Sequence, residues 1–251
     1  MKGPPCQSRR EPDVAMSPDP VPAAASALLG DLLDRSVPTR LVEVARSRSA
    51  VHYETGRDDV PVLSVCTSVA VRLPASMVTT ALPSGMCEIR AGALRSSTVR
   101  WQVVRWWSPP RPRGLTPPAL VACPPEVERL ESLTPQDLVG LGPGLTPSGD
   151  DVVAGALVAA HATSDPRFET WRAQTRAALR VRRTTAVSRA LLQSALEGYA
   201  TTELAAFVVA SCRGDAGPAT RSLLAVGHTS GASLAAGALH VLSTRTRADA
   251  G

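Results

Sequence analysis

The feature that most constrains this chain is a change of hydrophobic period partway along it. From Val37 to Ser108 the pattern alternates, with Leu41, Glu43 and Ala45 set against Val42 and Val44, followed by Val60, Val62, Ser64 and Cys66 and then by Val99, Trp101 and Val103. After Pro125 the apolar residues recur at helical spacing, in segments that open on Ser, Thr or Pro and often close on Gly. Between the two lies Ser108 to Pro125, with seven prolines in eighteen residues. A period of two sends successive side chains to opposite faces of a strand, whereas a period near 3.6 lines one face of a helix. The sequence therefore predicts an α+β chain: an N-terminal antiparallel β domain, as a small barrel or sandwich, followed by an all-helical bundle domain.

Boundaries follow from composition. Residues 1–22 carry six prolines among small and charged residues and read as a disordered tail, because such a segment cannot bury enough apolar surface to offset its ordering entropy. Residues 23–36 read as one short amphipathic helix, on the spacing of Ala27, Leu28, Leu29, Leu32 and Leu33. The β domain spans 37–108, with turns at Gly56–Asp59, Pro83–Gly85 and Gly92 and one strand on Val69, Val71 and Leu73. Residues 109–125 read as a proline-rich linker or stiff strap. Helices are expected within 126–245: Glu126–Leu133, Asp150–Ala162, Pro166–Arg183, Thr185–Gly198, Thr202–Gly214, Pro218–Gly227 and Ser230–Thr244. Trp101 and Trp107 alternate onto the face of Val103, a placement expected to seal the β domain against the strap.

Composition removes several classes of function. Hydrophobic residues at 44% with 20% charged are globular values, while aromatics at 3% leave Ala, Val and Leu to fill the core through close helix contacts. Lys2 is the sole lysine and sits in the tail, which excludes a folded-site Schiff base, a pyridoxal cofactor and a phosphate-loop lysine. Five scattered cysteines without C-x-x-C fit neither a disulfide scaffold nor a zinc module. The first thirty residues lack an apolar leader core, and the longest apolar run, Val152 to Ala160, is about half a membrane span. The expectation is a cytoplasmic protein without membrane or nucleic-acid partners. Cofactor use is left open by the sequence beyond the exclusion of pyridoxal.

Chemistry concentrates in Gly140-Leu-Gly-Pro-Gly-Leu-Thr-Pro-Ser-Gly-Asp-Asp151, a glycine-rich loop that runs into an Ala/Val-rich helix. Glycines let backbone amides approach a ligand, and a helix N-terminus favours anions. The pattern recurs: Ser148-Gly149, four residues, then Ala154-Gly155-Ala156-Leu157 is matched by Ser230-Gly231, four residues, then Ala236-Gly237-Ala238-Leu239. Two such starts can face one pocket, with Gly155 and Gly237 letting the helices cross closely; the bland alternative is a duplication kept for packing. Candidate ligand-binding residues are Gly142, Gly144, Thr146, Ser148, Gly149, Thr229, Ser230 and Gly231. Candidate catalytic residues are Asp150, Asp151 and His228. Adjacent carboxylates on a first turn point about 100° apart, so one enters the site while the other caps or holds a neighbour. A divalent ion bound through one carboxylate and a substrate oxygen is an alternative, but two Asp without a third fixed ligand are a weak metal signal, so no metal ligand is assigned. Arg172, Arg176, Arg180 and Arg183 form a stripe on one helix face, read as a solvated surface partly paired with the acidic segment 126–151 or as a site for an anion or a partner.

The stretch GLGPGLTPSGDD followed by VVAG, with the later GHTSG followed shortly by AGAL, resembles a bacterial family of former unknown-function proteins now described as the H-type subunit of oxamate carbamoyltransferase. The resemblance extends from near Val37 to the final helix. It implies a reaction of anaerobic allantoin degradation in which oxalurate and phosphate interconvert with oxamate and carbamoyl phosphate, carried out with other protein subunits. The chain would then bind a small anionic substrate. A non-catalytic scaffold or regulatory subunit is the alternative.

Overall fold

A computed structural model of the chain describes residues 20–35, 37–117 and 134–248, with side chains to residue 243. Its N-terminal part is a closed eight-stranded barrel and its C-terminal part a group of seven helices, in agreement with the α+β reading. The strands are β1 Val21–Ser26, β2 Thr39–Arg46, β3 Ala50–Glu54, β4 Val62–Cys66, β5 Ser76–Thr79, β6 Cys87–Arg90, β7 Ala93–Arg95 and β8 Arg100–Trp107, in the order β1-β5-β4-β3-β2-β6-β7-β8 around the barrel.

Three expectations are corrected by this fold. Residues 23–36 do not form one helix: β1 is followed by a 3-10 turn at Ala27–Leu29 and a short helix α1 at Gly30–Leu33. Ala23 and Ala25 face the barrel interior in a period of two, a signal hidden by alanine on both faces of the strand. Pairing β1 with both β5 and β8 closes the barrel and removes the two edges that an open sheet would expose. Second, the domain is not purely antiparallel, because β1 pairs β8 and β4 pairs β5 in parallel. Third, Val69, Val71 and Leu73 form no strand. A parallel pair needs a crossover, and the segment from Thr67 to Ala75 supplies it between β4 and β5.

The inner face carries Val51, Tyr53, Leu63, Val65, Met77, Ile89 and Leu94. Trp101 joins this core and donates from Nε1 to the Ala81 carbonyl at 2.8 Å. Opposite the Ala23/Ala24 step Val104 is an extra residue on β8, which breaks the alternation that linked Trp101 to Trp107. Trp107 ends half-buried beneath the Arg72 guanidinium, and Trp106 is exposed.

The described proline-rich residues, to Pro117, form no regular element. Ala200 N donates to the Pro110 carbonyl at 2.9 Å, Leu115 N to Ala162 at 2.8 Å, and Arg111 Nε to Glu197 at 2.7 Å, so this segment is tied to the helices it crosses. The helix expected at Glu126–Leu133 lies outside the described residues. The remaining helices are α2 Pro135–Leu138, α3 Ser148–Ala162, α4 Arg167–Val181, α5 Ala186–Leu196, α6 Thr202–Arg213, α7 Gly217–Leu224 and α8 Ser230–Ala248. α3 is buried on nearly every side and sits at the centre. In the arginine stripe of α4, Arg172 and Arg176 both reach Glu197, at 2.7 and 2.9 Å, and Arg172 also meets Glu169 of its own helix at 3.5 Å; residues 126–133 of the acidic segment lie outside the described residues.

Candidate functional site

The two repeated sequences become two similar junctions. In the first, α2 ends, a glycine-rich loop follows and α3 begins; in the second, α7 ends, a shorter loop follows and α8 begins. A Cβ on Gly149 would lie 2.0 Å from the Leu138 carbonyl oxygen, and one on Gly231 would lie 1.9 Å from that of Leu223. The amides match as well, Gly149 N donating to Leu141 and Gly231 N to Val226, each at 2.9 Å. These two glycines thus serve close approach between backbones, and their amides are engaged within the junction. Asp150 N and Asp151 N likewise donate to the Pro147 carbonyl, at 3.0 and 3.1 Å.

The helices that leave the junctions cross reciprocally. A Cβ on Gly155 would lie 2.1 Å from the Leu234 oxygen of α8, and one on Gly237 would lie 1.9 Å from the Val152 oxygen of α3. Both glycines stand seven residues after the Ser that opens their helix, so the repeat in sequence is a repeat in contact. The crossing draws the two helix starts together. Thr146, at the end of the first loop, hydrogen-bonds Ser230, the first residue of α8, with 2.8 Å between hydroxyl oxygens.

The two carboxylates part company at this point. Asp150 turns toward α5 and accepts three hydrogen bonds: from Gly140 N at 2.8 Å, from Ser188 Oγ at 2.6 Å and from the Thr184 hydroxyl. Gly140, at φ +80°, leaves no room for a Cβ beside the Arg183 carbonyl, so Asp150 pins the loop where glycine is needed. Asp151 turns toward the junction of α3 and α8. It is 1% exposed, and its Oδ2 has no hydrogen-bond partner among the described residues. Burial pushes its carboxyl up to about 7, the Ser230 and Thr146 hydroxyls pull it down, and the neighbouring Asp150 charge raises it further.

The other expected residues divide by exposure. Gly142 and Gly144, at φ +110° and +101°, shape the exposed rim of the first loop. Ser148 is half-buried at the start of α3, while Thr229 and His228 are exposed ahead of α8. Thus Thr146, Ser230 and Asp151 come together, and Asp150 is held apart from them. Thr184 and Ser188, which hold Asp150, are positions beside the site that sequence reasoning missed. Nothing in the local pattern marks them, because their role is set by the approach of α5 to α3. Thr185, which also ties the first loop by donating to the Leu145 carbonyl, is legible in the sequence only as a helix cap.

Among the described residues no cluster of three or more His, Cys, Asp or Glu could hold a metal ion, and no helix is long and apolar enough to cross a membrane. No solved structure matches the chain. A protein-family comparison does match: residues 138–242, which run from the end of α2 through both junctions into α8, fit the family of oxamate carbamoyltransferase subunit AllH and so support, over the helical part of the chain, the kinship that its glycine-rich loops suggest.

Proposed function

We propose that this chain is a subunit of an oxamate carbamoyltransferase-like system that holds a small anion, such as phosphate, carbamoyl phosphate, oxamate or oxalurate, where α3 and α8 begin. The observation that carries this reading is the Thr146–Ser230 hydrogen bond, which joins two helix starts through hydroxyls that also act on the buried Asp151 carboxyl. Two helix N-termini place partial positive charge on one spot, worth roughly 0.3–1 kcal/mol each toward an anion at an exposed surface and more where water is excluded. Several first-turn amides are already engaged, so the ligand's polar partners are the hydroxyls of Thr146 and Ser230, with Ser148 and Thr229 beside them. Asp151 would act at this site, and Asp150 would hold the loop. The family name, a subunit, further supports catalysis shared with other protein chains.

The alternative of a non-catalytic scaffold draws its support from Asp150, whose three accepted hydrogen bonds are explained by structure alone. The test is thermal unfolding with phosphate, carbamoyl phosphate or oxamate. A ligand that binds only the native state raises the melting temperature with concentration. We expect such a rise in the natural sequence and its loss in Ser230→Ala. A flat response up to roughly tens of millimolar, where even weak sites register, favours the scaffold.

A further inference from the structure

The hydroxyl pair beside Asp151 has a countable supply of hydrogens. Thr146 and Ser230 bring one each, and one of the two is used in the bond between them. Where the second goes depends on Asp151. An ionised carboxylate only accepts, so it draws the second hydroxyl hydrogen inward and leaves a lone pair facing outward. A protonated carboxyl donates into the pair, and the second hydroxyl hydrogen is released to point outward.

We propose that Asp151, Thr146 and Ser230 form a proton-set switch that decides what the junction binds: an oxyanion when the carboxyl carries its proton, and a ligand presenting an N–H when it does not. The switch rests on the location given to the anion site above and adds the protonation state that site requires. Asp151 reaches the ligand through the two hydroxyls, so it is a positioning residue. Its surroundings fit the role. Charged or titratable groups on the elements around α3 include Asp137 of α2, Arg172 and Arg180 of α4, Arg189 of α5, Glu203 of α6, His240 of α8 and His228 ahead of α8, yet the charge that acts on Asp151 is that of Asp150. With no cation among the described residues to offset it, the buried ionised form is disfavoured. Burial and Asp150 therefore bring the change of state to about 7, inside the physiological range.

Sulfate binding to the full chain, measured by titration calorimetry from about pH 5.5 to about 8.5, tests the switch, because sulfate keeps one charge state throughout and only the protein titrates. We expect constant affinity below about pH 7, then a fall of about tenfold per pH unit, with about one proton taken up per sulfate bound at the upper end. Asp151→Asn should bind sulfate at every pH as tightly as the natural sequence does at low pH, since its amide donates throughout. Sulfate binding without pH dependence in the natural sequence overturns the switch and leaves the anion site standing, and that result needs no variant to fold. A pH dependence that persists unchanged in Asp151→Asn overturns the switch in the same way. Absence of sulfate binding at any pH overturns the anion site and the switch together.

Discussion

The two junctions share a backbone plan and differ in what they do with it. Both bury a glycine against the preceding helix end, both send that glycine's amide back to the loop, and both carry a second glycine into the crossing of α3 with α8. At the positions after Ser-Gly, however, the first has Asp150 and Asp151 and the second has Ala232 and Ser233. Asp150 reaches α5 and fastens a long loop, whereas the shorter second loop has an exposed Ala232 at the matching place. The shared glycines thus account for the common geometry, and the residues that follow Ser-Gly account for the difference in side-chain contacts.

The largest effects should fall on what is shared. Gly155→Ala and Gly237→Ala each place a Cβ about 2 Å from a carbonyl oxygen of the opposite helix, a backbone contact that no rotamer relieves. We expect each to cost about 4 kcal/mol or more, with α3 and α8 forced apart. Urea unfolding followed by far-ultraviolet circular dichroism reads this directly. A marked inequality between the two variants would break the reciprocity of the crossing.

A smaller effect should separate the junctions. Asp150→Ala leaves Gly140 N, the Thr184 hydroxyl and the buried Ser188 hydroxyl without their acceptor, so a loss of about 3 kcal/mol is expected. Ala232→Asp, the corresponding change in the second junction, adds an exposed carboxylate at a helix start and should alter stability by less than about 1 kcal/mol. Equal losses in the two variants would remove the distinction between a fastened junction and an open one.

The smallest effect depends on pH. The Asp151 carboxyl sits near 7 in the folded chain against an ordinary value of 3.8, so the folded state binds more protons across that interval. Its contribution to stability is complete below the unfolded value and is lost as pH rises through the folded one. Asp151→Asn removes that loss. The variant should match the natural sequence near pH 3.5 and gain on it between about pH 4 and 7, levelling near 2 kcal/mol, roughly half the full linkage value because relaxation screens buried sites. A constant difference at all pH values would mean that Asp151 does not change state in this range.

Much of this architecture was legible in the sequence. The period change located the β and helical parts, and the repeat located the starts of α3 and α8, because periodicity and capping are local properties of the chain. Ala23–Arg35 reads as a helix and is not one, because alanine packs in strand and helix alike and only closure of the barrel decides between them. Val69 to Leu73 alternates like a strand, yet Thr67 to Ala75 must cross over so that β5 can lie parallel to β4.

At the site, the sequence by itself determined that two glycine-bearing helix starts would exist and that two adjacent carboxylates would open one of them. It also determined that these carboxylates would diverge, since neighbouring residues of a helix point about 100° apart. Tertiary structure alone decided which carboxylate went where. The approach of α5 supplied Thr184 and Ser188 to Asp150, and the crossing of α8 over α3 brought Ser230 to Thr146 beside Asp151. Those partners lie 34, 38 and 84 residues away along the chain. Contacts at such separation are fixed by how whole helices pack, which no local pattern around Asp150 and Asp151 encodes.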